Sequence, residues 1–175
     1  MANPTLPPNY TLHLASYPPV KDYLHLRAAS GLTPKNAAQA TAAIQGSWYG
    51  CYVTYDGPNS SDDTVPADTP YQNQPESNRK EVKGEGEVVG MGRIIGDGGW
   101  YFHIADMAVL PAHQRKGLGG VVLAALLQRI REAAPEGEPY VNLLADAPGR
   151  RLYAKYGFVE SAPKELGMGM VIRGR

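Results

Sequence analysis

Arg115 and Lys116 stand directly before three glycines in four positions, Gly117, Gly119 and Gly120. Positive charge beside bare backbone suits a phosphate, because glycine has no Cβ to hold the anion away from main-chain N–H groups. The plainer alternative is a tight turn with a solvated basic edge. Two other phosphate-binding patterns fail in this chain. A P-loop needs Lys followed by Ser or Thr after its last glycine, and Gly119 is followed by Gly120 and Val121. The run from Gly84 to Gly92 imitates a dinucleotide-binding fingerprint but leads into a strand pattern rather than a helix. Cys51, the lone cysteine, lies inside an apolar run and reads as a packing residue rather than a nucleophile.

The glycine corner must be held by neighbouring elements, and apolar spacing predicts which. Val122, Leu123, Leu126, Leu127, Ile130 and Ala134 recur at helical spacing, with Gln128, Arg129, Arg131 and Glu132 on the other side. That is an amphipathic helix lying on a sheet. Upstream, residues 100–111 read as a strand reached by a glycine-rich turn from another strand, Glu87 to Gly96. A first strand is expected over Tyr10 to Ser16, then a helix entered after Pro18 and Pro19 and stopped at Gly31. Thr33 as N-cap with Pro34 in the first turn opens a second helix through Ile44. Trp48 to Tyr55 reads as a strand, as does 140–145. A short helix then ends at Gly157, and two terminal strands are expected over 158–161 and 167–173. Residues 57–86 form a long insertion rich in Pro, Ser, Asn and Asp, either a surface excursion or a lid. The expected architecture is one α/β domain over residues 1–175, a mixed sheet of about seven strands flanked by about four helices.

Gln114-Arg115-Lys116-Gly117-Leu118-Gly119 has the form Q/R-x-x-G-x-G/A. Met107-Ala108-Val109-Leu110-Pro111 precedes it, and Leu152-Tyr153-Ala154-Lys155-Tyr156-Gly157-Phe158 follows after one more strand. The combination resembles the GNAT superfamily of acyl-CoA-dependent N-acetyltransferases over nearly the whole chain, and the expected element order agrees. The run Leu26 to Pro34 also resembles the first helix region of many members. The resemblance implies acetyl-CoA as donor. Its pyrophosphate would lie on the backbone of Arg115, Lys116, Gly117, Leu118, Gly119 and Gly120, with Gln114 opening the motif. The pantetheine arm would run along Met107, Ala108 and Val109, where that strand parts from its neighbour. Members often carry Asn seven residues before the motif tyrosine; here the position holds Asp146, which accepts hydrogen bonds but donates none when ionised.

The reaction class sets its own demands. An amine with pKa about 10.4 is neutral in only about one molecule in a few thousand at pH 7, so removal of its proton must be assisted. The resemblance places Tyr153, which would also touch the coenzyme, as general acid toward the leaving thiolate. Full transfer from a phenol of pKa about 10 to a thiol of about 8.5 is uphill by roughly 2 kcal/mol, so a strengthening hydrogen bond is expected. For the base there are three candidates: His103, Asp106 and a water chain. Imidazole titrates near neutrality, and residues 103 and 106 share a strand face only if a bulge intervenes. Arg93 is either a substrate handle or a sheet arginine. Tyr49, Tyr52, Tyr55, Trp100 and Tyr101 read as core and sheet surface before they read as a ligand cage.

Composition bounds the rest. Seventeen basic and seventeen acidic residues cancel, so no nucleic-acid partner is expected. No apolar run is long enough for a membrane span, and the N-terminal residues lack the charge and apolar pattern of a secretory leader. With a single cysteine, these features fit a cytoplasmic protein, a nuclear one remaining compatible. The expected activity is acetyl transfer to an amine of a small molecule or peptide in a ternary complex, no metal being implied. A homodimer is compatible with the resemblance. The competing reading is a coenzyme A-binding regulatory or interaction module with little turnover.

Overall fold

The computed structural model describes residues 5–57, 86–165 and 167–170. In chain order they form β1 (Tyr10–Leu14), α1 (Val20–Ala29), α2 (Ala37–Gln45), β2 (Tyr49–Tyr55), β3 (Glu87–Gly96) and β4 (Tyr101–Val109). After a 3-10 turn (Pro111–His113) come α3 (Leu118–Ala133), β5 (Tyr140–Leu143) and α4 (Arg150–Lys155). The strands make one sheet in the order β1-β2-β3-β4-β5. β1 to β4 pair antiparallel, whereas the α3 crossover brings β5 back parallel to β4.

The two faces of the sheet carry different helices. Leu118, Val122, Leu123, Leu126 and Ile130 of α3 are fully buried, each contributing about 1.5–3 kcal/mol of apolar burial. Gly92 shows how closely this layer approaches. A Cβ there would sit 2.6 Å from Met107 Sδ and 2.7 Å from Val122 Cγ1. The opposite face receives Tyr23, Leu26 and Arg27 of α1.

Three expectations are corrected. α2 begins at Ala37, not beside Pro34, because Asn36 and Gln39 form a reciprocal capping box. Asn36 Oδ1 accepts the Gln39 N–H at 2.8 Å, and Gln39 Oε1 accepts the Asn36 N–H at 3.2 Å, which Thr33 cannot match. The described sheet has five strands rather than about seven. Phe158–Ser161 and Gly167–Met170 are not strands, and residues 171–173 lie outside the described residues. Val159 and Met168 have apolar strand-like character, yet they are 89% and 98% exposed, and no strand among the described residues pairs with them. Finally, β5 stops at Leu143 because β4 turns away beyond that point. Nearly all of the insertion, and with it the lid reading, lies outside the described residues.

Candidate active site

Two irregularities of β4 create the site. On one side, β4 pairs with β5 only from Tyr101↔Tyr140 to Ile104↔Leu143, so residues 105–109 diverge from β5. On the other, the β3–β4 register slips between Met91 and Arg93, and Asp106 takes a left-handed φ of 53°. This is a β-bulge. His103 lies across from Ile95, on the face that Arg93 shares, and Arg93 reaches Asp106. The bulge therefore brings His103 and Asp106 to one face although they are three residues apart.

Asp106 sits at the centre of a nearly buried charge cluster. It accepts hydrogen bonds from the Tyr23 hydroxyl, from Arg27 Nη1 and, at 2.5 Å, from Arg93 Nε. Arg27 Nη2 also donates to the Thr33 carbonyl at 2.8 Å, and Arg93 Nη1 to Ser47 Oγ at 3.0 Å. Burial works to raise the Asp106 pKa, but the hydrogen bonds from Tyr23 and Arg93 and the charges of both arginines outweigh it, and the net shift is downward. A carboxylate held this way has little proton affinity to offer an amine. Its visible role is to pin a residue in a backbone region that non-glycine residues avoid. Arg93 is thus an ion-pair partner within the fold. Tyr23 and Arg27 escape the sequence reading. Their one signal is spacing, a phenol and a guanidinium at i and i+4 on α1.

His103 and Asn142 face each other across the β4–β5 pair, with His103 Nδ1 2.6 Å from Asn142 Oδ1. Tyr153 lies on α4, half-buried, its ring edge-on to Phe158. Burial first, and the Asp146 charge second, push its pKa above the ordinary phenol value. Asp146 Oδ1 accepts the Gly149 N–H at 2.9 Å and closes the turn into α4. A Cβ on Gly149 would stand 2.7 Å from that oxygen and 2.8 Å from Tyr153 Cε2, so Asp146, Gly149 and Tyr153 pack as one group.

The glycine corner divides into two parts. Gly117 is the N-cap of α3 with φ 87°, offers no side-chain cap, and faces open space. Arg115 is also left-handed, φ 61°. The N-terminus of a long helix thus starts from an open, left-handed glycine just after the left-handed Arg115, which suits an anion. Gly119 and Gly120 serve a different contact. Added Cβ atoms would lie 3.3 Å from Leu152 Cδ2 and 3.1 Å from Tyr156 Oη, so α4 packs onto this turn. Tyr156 also donates to the Gly120 carbonyl at 2.8 Å. Gln114 Nε2 donates to the Val109 carbonyl at 3.0 Å and ties the corner to β4. Lys116 Nζ donates to the Tyr10 hydroxyl at 3.1 Å, whose oxygen is 2.8 Å from Nδ1 of the buried His113.

The other residues singled out earlier are structural. Cys51 is buried against α3, and burial pushes its thiol up to about 12. The aromatic run disperses: Tyr52 stacks on His13, Tyr55 tilts against Tyr10, and Tyr101 packs between Trp100 and Tyr140. A separate cleft of about 560 Å³, lined among others by His13, Asp22, His25 and Glu87, includes none of the predicted site residues.

Comparison with known proteins agrees with this geometry. Residues 80–160 match the model of an acetyltransferase (GNAT) domain. A solved structure of a probable acetyltransferase of unknown function from meticillin-resistant Staphylococcus aureus is similar at 26% identity and TM-score 0.70, covering 93% of this chain and 99% of that one. The ribosomal-protein-S18-alanine N-acetyltransferase of Escherichia coli is similar at 15% identity and TM-score 0.59 over 87% and 79% of the two chains. The glucosamine-6-phosphate N-acetyltransferase of Arabidopsis thaliana is similar at 13% identity and TM-score 0.56, over 94% and 99%. The last two likenesses concern the fold. No curated protein gives a significant sequence match.

Proposed function

We propose that this chain, whose residues 80–160 match the model of an acetyltransferase (GNAT) domain, transfers an acetyl group from acetyl-CoA to an amine of a small molecule or peptide. The observation that carries the reading is the parting of β4 from β5 after Ile104 and Leu143, in a chain whose α3 begins with an uncapped, open N-terminus. These features fit the coenzyme: backbone of 107–109 for the pantetheine arm, and Arg115, Lys116, Gly117, Leu118 and the first N–H groups of α3 for the diphosphate. Gly119 and Gly120 contribute by letting α4 close against that turn. Acetyl-CoA supplies a thioester carbonyl activated toward amines.

The chain's own groups supply the rest. His103 takes the proton of the attacking amine. Tyr153 stays protonated, since burial and Asp146 both raise its pKa, and donates to the departing sulfur. Asp106 holds the bulge rather than a proton in transit. Cys51 is buried and away from β5, so attack is direct and no acyl-cysteine forms. Within a cytoplasmic, single-domain reading, neither nucleic acid nor membrane takes part.

A thiol-release screen of amines and short peptides with acetyl-CoA, run beside calorimetric titration of acetyl-CoA, tests this. Release with at least one acceptor supports it. Tight binding with no release across the panel favours the regulatory module, and no binding overturns both.

A further inference from the structure

We infer that Asn142 on β5 is a positioning residue for the reaction, fixing the His103 ring in the tautomer whose Nε2 lone pair accepts the amine proton. This rests on the reading of His103 just given. Asn142 Oδ1 lies 2.6 Å from His103 Nδ1. An amide oxygen only accepts, so Nδ1 carries the hydrogen, and a neutral imidazole with Nδ1–H presents a bare lone pair at Nε2. Nε2 has no hydrogen-bond partner among the described residues. The placement fits the task. His103 and Asn142 are in register one pair before β4 and β5 separate, at the mouth of the split. Parallel pairing fixes where Asn142 sits, so the ring is oriented by the sheet.

The proton count closes. The amine nitrogen bonds to the acyl carbon as the C–S bond breaks. The amine proton passes to Nε2, and sulfur receives the Tyr153 proton. The imidazolium keeps Nδ1–H on Asn142 and later returns the proton at Nε2 to solvent, from which Tyr153 is reprotonated.

The charged and titratable groups on this face are Tyr101 and Asp106 of β4, Arg93 of β3, Tyr23 and Arg27 of α1, Tyr140 of β5, and Glu165, which accepts from the Tyr140 hydroxyl at 3.2 Å. Asp106 is occupied by its two arginines and Tyr23. Asn142 is the side chain that hydrogen-bonds the ring among the described residues.

The test compares Asn142→Asp, Asn142→Leu and His103→Ala. Aspartate keeps the acceptor and adds charge beside Nδ1–H, so the acidic limb of kcat/KM should move up by about one pH unit, with plateau kcat within a few-fold of the parent. Leucine removes the acceptor, so kcat should fall on the order of 10-fold while acetyl-CoA affinity holds. Nitrogen-15 spectra of the free protein should show His103 protonated at Nδ1 in the parent and in Asn142→Asp. This readout needs no activity, and Asn142→Asp, nearly isosteric, covers a leucine variant that fails to fold. A limb unmoved by Asn142→Asp, or an Nε2–H tautomer, overturns the role of Asn142. An acidic limb that survives His103→Ala overturns the base itself, and the two failures are told apart by that variant.

Discussion

Replacing Asp106 with Asn keeps the side-chain shape and removes the charge between two guanidiniums. Side-chain exposure is 11% for Asp106, 9% for Arg27 and 13% for Arg93, so the two arginines would be left nearly buried without a counter-charge. Stripping one partner from a buried ion pair costs about 3–5 kcal/mol. For a chain of this length each kcal/mol moves Tm by about 2–4 °C, so the variant should melt roughly 6–20 °C lower at pH 7. The pH dependence has a fixed sign. The folded-state pKa of Asp106 is lowered, so its contribution is complete above the unfolded value of about 3.9 and is lost as pH falls through the depressed folded value. Urea unfolding of parent and variant between pH 7 and the acid limit should therefore show a gap that is widest at neutral pH and narrows below about 3.9. A loss under about 1 kcal/mol at pH 7, or a gap indifferent to acid, would refute the clamp. The variant that folds normally but loses all turnover would instead mark Asp106 as the base.

Tyr153→Phe should lower kcat on the order of 100-fold while leaving the acetyl-CoA Kd unchanged; an unaltered kcat rejects the acid role. Gly117→Ala meets open space but must hold φ 87°, so acetyl-CoA affinity measured by calorimetry should weaken several-fold for about 1 kcal/mol of strain. Gly120→Ala should instead displace Tyr156, lowering Tm and kcat together, and equal effects of the two alanines on every readout would undo the division of the corner. Cys51, with its thiol pushed up to about 12, should resist alkylation at pH 8 in the folded protein and react on unfolding; prompt native labelling would contradict its burial.

Elements whose signal is local are legible in the sequence. β3 runs from Glu87 to Gly96 as its apolar run predicts, and α3 starts at Leu118, within the glycine corner. The bulge is anticipated only as a condition for His103 and Asp106 to share a face, because nothing local announces φ 53° at an aspartate. What fixes it comes from residues 79 and 83 positions away, Arg27 and Tyr23, on a helix whose pattern says only that it is a helix. Asn142 is missed for the same reason, since its partner is set by parallel register across a 16-residue crossover helix. The expected terminal strands go the other way: β-like composition at Val159 and Met168 finds no neighbour to pair with among the described residues.

The corner that first suggests a phosphate site also sets the geometry of the proposed acid. Gly119 and Gly120 have no side chains, so Leu152 and Tyr156 rest directly on the first turn of α3, and Tyr156 bonds to the Gly120 carbonyl. Tyr153 lies on the same short helix, next to Leu152 and three residues before Tyr156 at its C-cap. Its distance from the α3 N-terminus is therefore fixed by van der Waals contact and one hydrogen bond rather than by a loop. Gly117 alone keeps the conformational freedom and open space that an anion requires. On the proposed function the three glycines would hold two jobs: Gly117 would admit the diphosphate, while Gly119 and Gly120 seat the helix that carries the proposed proton donor. A bulkier residue at 119 or 120 would shift Tyr153 relative to any bound thioester even if the anion still docked. A 1 Å displacement of that kind is enough to cost about 100-fold in rate.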